Sequence, residues 1–167
     1  PLSRLMKPED GPEELHIELT YRCNSKCIMC NLWDYQKRSP KSIDNELSLD
    51  EIRRFVEESQ LLQKTKSVVL SGGEPFLRKD IVEICGFFSK CLPNSSLGIL
   101  TNAMDTDDII AKTKEILDRF RPKSLWLGSS LDGLDKQHDM IRGVDGAFLA
   151  FHRTIKRFKK ELPEVKL

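Results

Sequence analysis

The chain has 167 residues, a length that fits one domain and is sufficient to bury a hydrophobic core. Hydrophobic residues make up 39% of the chain and charged residues 32%, while the net charge is only +1. This charge balance gives no sign of nucleic-acid binding or of attachment to an anionic membrane, and no apolar run approaches the roughly 20 residues that span a bilayer.

The N-terminal part predicts a leader followed by a strand. Residues 1–13 are rich in proline and charge and favour a leader segment, so we expect the core domain to occupy residues 14–167. Within that domain Leu15, Ile17 and Leu19 alternate with polar residues, which is the period of a half-buried strand.

The loop after this strand holds three of the five cysteines, Cys23, Cys27 and Cys30, in the spacing Cys-x3-Cys-x2-Cys. Residues 33–47 are polar and predict an irregular surface loop. An odd number of cysteines, with three of them crowded into one loop, does not suit a disulfide framework and favours a reduced, cytoplasmic setting.

The remaining sequence alternates short apolar strands with amphipathic helices. Ser48 and Glu51 form a capping box before the first of these helices, and Thr106 is predicted to cap a later one. The later strands are predicted at residues 67–71, 97–100 and 125–130, the helices near Leu49, Ile81, Thr106 and Gly146, and the start of a fifth strand at residues 164–167. Such an alternation is typical of βα units on a parallel sheet.

A polar or glycine-rich motif follows each predicted strand. After the cysteine loop these motifs are Gly72-Gly73-Glu74, Thr101-Asn102 and Ser130. Right-handed crossovers place the carboxyl ends of parallel strands at one edge of the sheet, where α/β proteins have their active sites. We therefore expect these motifs to form one site.

The three cysteines alone allow more than one interpretation. Three thiolates on a four-iron cube leave one iron open to another ligand, which is typical of a reactive site. Zinc is the second possibility, and it would need a fourth ligand such as His16 to complete its tetrahedron. Cysteines without any metal are the third.

Together the motifs resemble those of the radical S-adenosylmethionine (radical SAM) superfamily, over roughly residues 14–160. The cysteine loop resembles its cluster loop, and Gly72-Gly73-Glu74 resembles its second-strand motif. The segment from Ser130 to Arg142 is similar to members close to the molybdopterin-precursor cyclase and the peptide-modifying maturases. The resemblance implies a parallel-stranded partial (βα) barrel. Because the chain has only four βα units and the start of a fifth, we expect this barrel to be incomplete at its C-terminus.

The resemblance also implies a role for each motif. Cys23, Cys27 and Cys30 would bind a [4Fe-4S] cluster whose open iron binds S-adenosylmethionine. The residues expected to contact S-adenosylmethionine are Gly72, Gly73 and Glu74 at its amino group, Ser130 and Arg142 at its ribose or carboxylate, Thr101, and Met29 near its adenine. Met29 is a departure from the family, because an aromatic residue often stands there, and Ala103 is another, because it replaces the glycine of the third-strand motif.

The implied function is reductive cleavage of S-adenosylmethionine to methionine and a 5′-deoxyadenosyl radical, which abstracts hydrogen from an unknown substrate. The resemblance also implies a low-potential electron donor of the flavodoxin or ferredoxin type. A C-terminal portion or a second chain would complete the barrel. Strand parity places His16 and Glu18 inside the barrel, as candidates for substrate contact. The alternatives are a cluster-binding fragment without turnover and a zinc-binding interaction module.

Overall fold

The computed structural model describes residues 11–39 and 45–167, so most of the predicted leader lies outside the described residues. Its centre is one sheet of four parallel strands, paired in the order in which they occur in the chain. The strands are β1 (Glu14–Thr20), β2 (Ser67–Gly72), β3 (Ser96–Leu100) and β4 (Leu125–Gly128). This arrangement confirms the predicted α/β fold built from parallel βα units.

A parallel bridge between Trp126 and Lys166 extends the sheet beyond β4. The Leu127 N–H also donates to the Lys166 carbonyl at 2.9 Å. The chain therefore begins a fifth strand beside β4, as predicted.

Six α-helices in the described residues connect or flank the strands. They are α1 (Leu32–Arg38), α2 (Leu49–Glu57), α3 (Ile81–Cys91), α4 (Thr106–Phe120), α5 (Lys136–Arg142) and α6 (Ala147–Glu161). The predicted capping box is confirmed at the start of α2. The Glu51 carboxylate accepts the Ser48 N–H at 2.8 Å, and the Ser48 hydroxyl accepts the Glu51 N–H at 3.2 Å.

The segment predicted as an irregular loop at residues 33–47 contains helix α1 instead, while residues 40–44 lie outside the described part of the chain. Asp34 and Arg38 stand one helical turn apart and form an ion pair at 2.9 Å. The basic residues of the last turn also suit the negative end of the helix dipole. The loop prediction was wrong because a helix of seven residues is too short to show an amphipathic stripe.

Two further helix starts differ from the prediction. Asp105, rather than Thr106, caps α4, because its carboxylate accepts the Asp108 N–H at 3.4 Å. Thr106 is fully buried in the first turn, and its hydroxyl lies 2.7 Å from that of Thr154 on α6. The sequence does not predict α5, because that helix has only seven residues and begins after Asp135, which has a positive φ and makes no side-chain cap.

The hydrophobic core lies between the helices and one face of the sheet. The strands contribute the buried side chains of Ile17, Leu19, Val68, Leu70, Leu97, Ile99, Leu125 and Leu127, and the helices those of Ile52, Val56, Ile84, Phe88, Ile109, Ile116 and Phe158. Cys85 on α3 is fully buried in the same cluster and packs there as a small core residue. Within the described residues, none of the helices combines the length and apolar character that crossing a membrane requires.

The opposite face of the sheet is open and polar along β1. His16 and Glu18 are exposed there, while Ile17 and Leu19 beside them in the sequence are buried. The Nε2 atom of His16 lies 2.6 Å from the Ser71 hydroxyl on β2. The predicted strand parity is therefore confirmed, because His16 and Glu18 point away from the helices.

The core placement predicts a large effect of truncating Leu70, which has 0% exposure at the centre of the cluster. We expect Leu70→Ala to lower the free energy of unfolding by about 2–5 kcal/mol, because it leaves a cavity that the rigid surroundings fill only in part. Chemical denaturation measures this loss. The matched control is Leu149→Ala on α6, where the side chain is 70% exposed and the change should stay within about 0.5 kcal/mol. Equal losses in the two variants would contradict this placement of the core.

Candidate functional site

A cavity of about 550 Å³ lies at the carboxyl edge of the sheet. It is large enough for a cofactor-sized ligand. Its lining includes nine of the ten predicted site residues, namely Cys23, Cys27, Met29, Cys30, Gly72, Gly73, Thr101, Ser130 and Arg142. The structure thus brings together motifs that follow all four strands, as the topology argument predicts.

The cysteine loop is shaped by hydrogen bonds to its own backbone. The Cys27 carbonyl accepts the Cys30 N–H at 3.1 Å, which closes a tight turn between these two cysteines. The same carbonyl accepts the indole N–H of Trp33 at 3.1 Å. Trp33 reaches this point from the first turn of α1, so the unpredicted helix contributes directly to the site.

Two of the three cysteine sulfurs lie near N–H donors. Cys23 Sγ is 3.4 Å from the Ser25 backbone nitrogen and 3.9 Å from the Asn102 side-chain nitrogen. Cys27 Sγ is 3.8 Å from Nη1 of Arg142. Burial raises the pKa of the Cys23 thiol, and the Ser25 N–H opposes that rise. Because a metal ligand must be deprotonated, metal binding here would release a proton, and these donors would stabilise the resulting thiolates.

The cysteine arrangement bears on the choice between a single ion and a cluster. Within the described residues, no group of three or more His, Cys, Asp or Glu side chains could hold one metal ion. Zinc would need its four ligands together at about 2.0–2.3 Å from one centre. A four-iron cube instead takes each cysteine on a different iron atom, which leaves the sulfurs farther apart. The structure brings all three cysteines to one cavity, as a cube with one cysteine on each of three iron atoms would require.

The glycine pair after β2 allows a close backbone approach. The Gly73 N–H donates to the Thr20 carbonyl at 2.7 Å, and a Cβ at position 73 would overlap the Arg22 carbonyl. Gly72 has a φ of +124°, a conformation that residues with a Cβ rarely adopt. Both positions therefore need glycine, and this need follows from how the end of β2 packs against the entry to the cysteine loop.

Glu74 is the one predicted site residue that lies outside the cavity lining, and it is only 2% exposed. Its carboxylate accepts the Phe76 N–H at 3.1 Å, the Asn102 N–H at 2.7 Å and the Thr101 hydroxyl at 3.0 Å. In this conformation it links the end of β2 to the end of β3. Burial raises the pKa of the Glu74 carboxyl to about 7, against the opposing effect of these donors.

The fourth motif brings Arg142 to the cavity from the last turn of α5. Its Nη2 donates to the Ser130 carbonyl at 2.6 Å, and its Nε lies 2.7 Å from a carboxylate oxygen of Asp132. His138 is buried, and its Nδ1 accepts the Asp132 N–H at 3.2 Å. This bond ties α5 to the turn that holds Asp132.

Trp33 and Asp132 have no predicted role in the site, and Asn102 is predicted there only as part of the motif Thr101-Asn102. Asp132 and Asn102 both line the cavity, and Trp33 lines it as well. Asn102 also donates to the Asn24 side chain at 2.6 Å, which ties the end of β3 to the cysteine loop. Its position directly after a strand is the signal by which the sequence placed it at this edge of the sheet.

The remaining histidine and cysteine candidates lie elsewhere. His16 is on the open face of the sheet and outside the cavity lining, so it does not serve as a fourth ligand to the cysteines here. Cys91 ends α3, with its Sγ 3.8 Å from the Gln63 side chain. His152 is exposed on α6.

Residues 17–167 match the Radical SAM superfamily. This match covers nearly the whole chain and joins the cysteine loop, the glycine pair and the fourth-strand motif in one pattern. The chain belongs to the radical SAM superfamily, and the predicted resemblance is confirmed.

Several known proteins are similar to this chain. The GTP 3′,8-cyclase of Mannheimia succiniciproducens is 31% identical over 150 residues, which are 85% of this chain and 43% of that protein. The Fe-coproporphyrin III synthase of Methanosarcina barkeri is 29% identical over 150 residues, which are 86% of this chain and 33% of that protein. The chain thus spans less than half the length of these relatives.

The fold is also similar to a solved structure. Streptococcus suis SuiB bound to the precursor peptide SuiA matches with a TM-score of 0.65 at 24% identity, over 90% of this chain and 31% of that chain. At this level of identity the match supports the shared fold, a parallel-stranded partial barrel.

The raised pKa of Glu74 predicts a pH-dependent stability of the metal-free chain. The unfolded chain releases this proton near pH 4.5, whereas the folded chain holds it to about pH 7. Because the folded state binds more protons between these values, its free energy of unfolding should fall as the pH rises from about 4.5 to about 7.

Denaturation curves at a series of pH values for the chain and for Glu74→Gln measure this effect. We expect Glu74→Gln to be less stable than the unaltered chain, since an amide cannot accept hydrogen bonds from all of the donors. Its free energy of unfolding should also lack the part of the decline from pH 4.5 to 7 that the titration of Glu74 causes. The difference between the two proteins should therefore narrow with rising pH. A constant difference from pH 4.5 to 7 would show that Glu74 does not titrate as its burial requires.

Proposed function

We propose that this chain is the core of a radical SAM enzyme, in which Cys23, Cys27 and Cys30 hold a [4Fe-4S] cluster beside bound S-adenosylmethionine. The observation that carries the proposal is the single cavity that all three cysteines share with the motifs after β2, β3 and β4. A cluster bound there would supply the low-potential electron that cleaves S-adenosylmethionine to methionine and a 5′-deoxyadenosyl radical, which takes hydrogen from the substrate.

The protein's part begins with holding the cluster loop. Trp33 and the turn from Cys27 to Cys30 fix the path of the backbone. The N–H groups near Cys23 and Cys27 stabilise the thiolate form that an iron ligand requires. The loop offers three cysteine ligands and no fourth, so a four-iron cluster held by it would keep one iron atom open for the amino and carboxylate groups of S-adenosylmethionine.

The other motifs would orient S-adenosylmethionine. Gly72 and Gly73 expose backbone groups to its amino end, because no side chain intervenes. The guanidinium of Arg142 suits a carboxylate or a ribose, and Ser130 stands beside it. Met29, whose side chain is 62% exposed at the cavity, offers a flexible apolar contact to adenine.

Glu74 and Thr101 complete the proposed cofactor contacts. Thr101 lines the cavity, and its hydroxyl donates to the Glu74 carboxylate. Glu74 directly follows the cavity-lining Gly73, so a turn of its side chain would direct the carboxylate to the amino group of S-adenosylmethionine. This movement would exchange backbone N–H donors for an ammonium donor.

The proposed reaction also requires an electron donor, a complete barrel and a substrate. We assign the electron supply to a low-potential donor of the flavodoxin or ferredoxin type, in a reduced, cytoplasmic setting. A C-terminal portion or a second chain would complete the barrel, because β4 has only the start of a fifth strand beside it. His16 and Glu18, on the open face, are the proposed polar contacts for the substrate.

A cluster-binding fragment without turnover is the second candidate, because the chain spans less than half the length of its relatives and an isolated bridge extends the sheet beyond β4. Detection of 5′-deoxyadenosine separates the two. After anaerobic reconstitution with iron and sulfide, the reduced chain should convert S-adenosylmethionine to 5′-deoxyadenosine and methionine. A chain that carries the cluster and binds S-adenosylmethionine, yet yields no 5′-deoxyadenosine even with the completing portion supplied, would support the fragment instead.

The cysteine assignment predicts which thiol is essential for the cluster. Cys27→Ala should lose most of its iron and its visible charge-transfer absorption after reconstitution, because two cysteines do not hold the cube. The matched control is Cys91→Ala, since Cys91 ends α3 outside the cavity lining, and this variant should keep its iron. Iron analysis and absorption spectra measure both. Full iron content in Cys27→Ala would contradict the assignment, and zinc in place of iron would favour an interaction module.

A further inference from the structure

The C-terminal end of α5 is bonded directly to the cluster loop. The Arg142 carbonyl accepts the Lys26 N–H at 2.9 Å, and the Ile141 carbonyl accepts the Ile28 N–H at 2.9 Å. Carbonyl groups in the last turn of a helix have no partner within the helix, so the loop satisfies them. The two bonds lie on either side of Cys27, which fixes the backbone at that cysteine.

Gly143 makes this contact possible. It ends α5 with a φ of +63°, and a Cβ at that position would overlap the Lys26 carbonyl. Only a glycine lets the helix end approach the cluster loop this closely. The contact is therefore built into the sequence from both sides.

The Arg142 side chain reaches Cys27 as well. Nη1 of its guanidinium lies 3.8 Å from Cys27 Sγ, and Nη2 donates to the Ser130 carbonyl. The third nitrogen, Nε, lies 2.7 Å from a carboxylate oxygen of Asp132. The Arg142 and Asp132 side chains are only 13% and 23% exposed. Within the described residues, Nε of Arg142 and the facing carboxylate oxygen of Asp132 have no hydrogen-bond partner. The ion pair between them is therefore the main compensation for the burial of both atoms.

We propose that Asp132 is a positioning residue that acts through Arg142: its carboxylate holds the guanidinium against Cys27, and the held charge raises the reduction potential of the cluster. This inference rests on the proposed function, because it requires a cluster on Cys27. A positive charge and N–H donors near a cysteine sulfur favour the reduced cluster, which carries one more negative charge. Without Asp132, the guanidinium would lose its ion pair at Nε, and the bond to Ser130 and the long contact with Cys27 at 3.8 Å would not hold it in place.

The sign of the effect separates positioning from a simple charge effect. If Asp132 acted only through its own negative charge, Asp132→Ala would shift the potential of the cluster in the positive direction. If it holds Arg142 in place, Asp132→Ala removes a cation from Cys27 and shifts the potential in the negative direction. Arg142→Gln should shift it in the negative direction too, and Arg142→Lys, which keeps the charge, should shift it less.

The test measures the cluster's midpoint potential by redox titration with electron paramagnetic resonance, in the absence of S-adenosylmethionine. We expect Asp132→Ala and Arg142→Gln to be more negative than the unaltered chain. The double variant should be no more negative than Arg142→Gln alone, because Asp132 then has nothing to hold. Asp132→Asn removes the negative charge but keeps an acceptor oxygen for Arg142, so its potential should lie above that of Asp132→Ala.

The matched control is Asp80→Ala, which breaks a similar partly buried pair, Arg78–Asp80 at 2.6 Å, outside the cavity lining. Its potential should not change. A positive or absent shift in Asp132→Ala with an intact cluster would overturn the proposal. If Asp132→Ala does not fold, the same comparison with Asp132→Ser, which also lacks the carboxylate, decides. Failure of the unaltered chain to bind any cluster would instead contradict the proposed function, and this inference with it.

Discussion

The site depends on one constraint: each of the four strands pairs in parallel with the next strand in the chain. It brings the residues after each strand to the same edge of the sheet, although the motifs are far apart in the sequence. The Glu74 carboxylate then joins the end of β2 to the end of β3, and Asn102 joins β3 to the cysteine loop. The cavity is therefore enclosed by bonds between strand ends, not by the cysteine loop alone.

The cost of this construction lies in buried polar groups. The Glu74 carboxylate loses most of its contact with water, which raises its pKa. Hydrogen bonds from backbone N–H groups and a hydroxyl offset this loss of hydration. For Asp132 and Arg142, the ion pair between them offsets most of the loss of hydration. Such groups contribute little net stability but require one arrangement of their neighbours. That requirement suits a site whose ligand must be oriented with little freedom.

The sequence predicts the parallel fold and the cavity-lining motifs because both follow from short-range patterns. Alternation identified β1, and the capping box identified α2. Long-range contacts are not visible in this way. Nothing near Asp132 in the sequence indicates that it faces Arg142, and nothing near Glu74 indicates that its carboxylate points to Asn102. Helix α5, whose C-terminal end is bonded to the cysteine loop, was not predicted because seven residues are too few to show a periodic pattern.

In the proposed site the three cysteines would hold a four-iron cube with one iron open to S-adenosylmethionine. Mössbauer spectroscopy of the chain reconstituted with ⁵⁷Fe tests it most directly, since it resolves the iron sites of one cluster. On addition of S-adenosylmethionine, the account predicts that the signal of one iron site in four changes, while the three cysteine-bound sites stay as they were. A spectrum that does not respond to S-adenosylmethionine, or one without a four-iron cluster, would contradict the account.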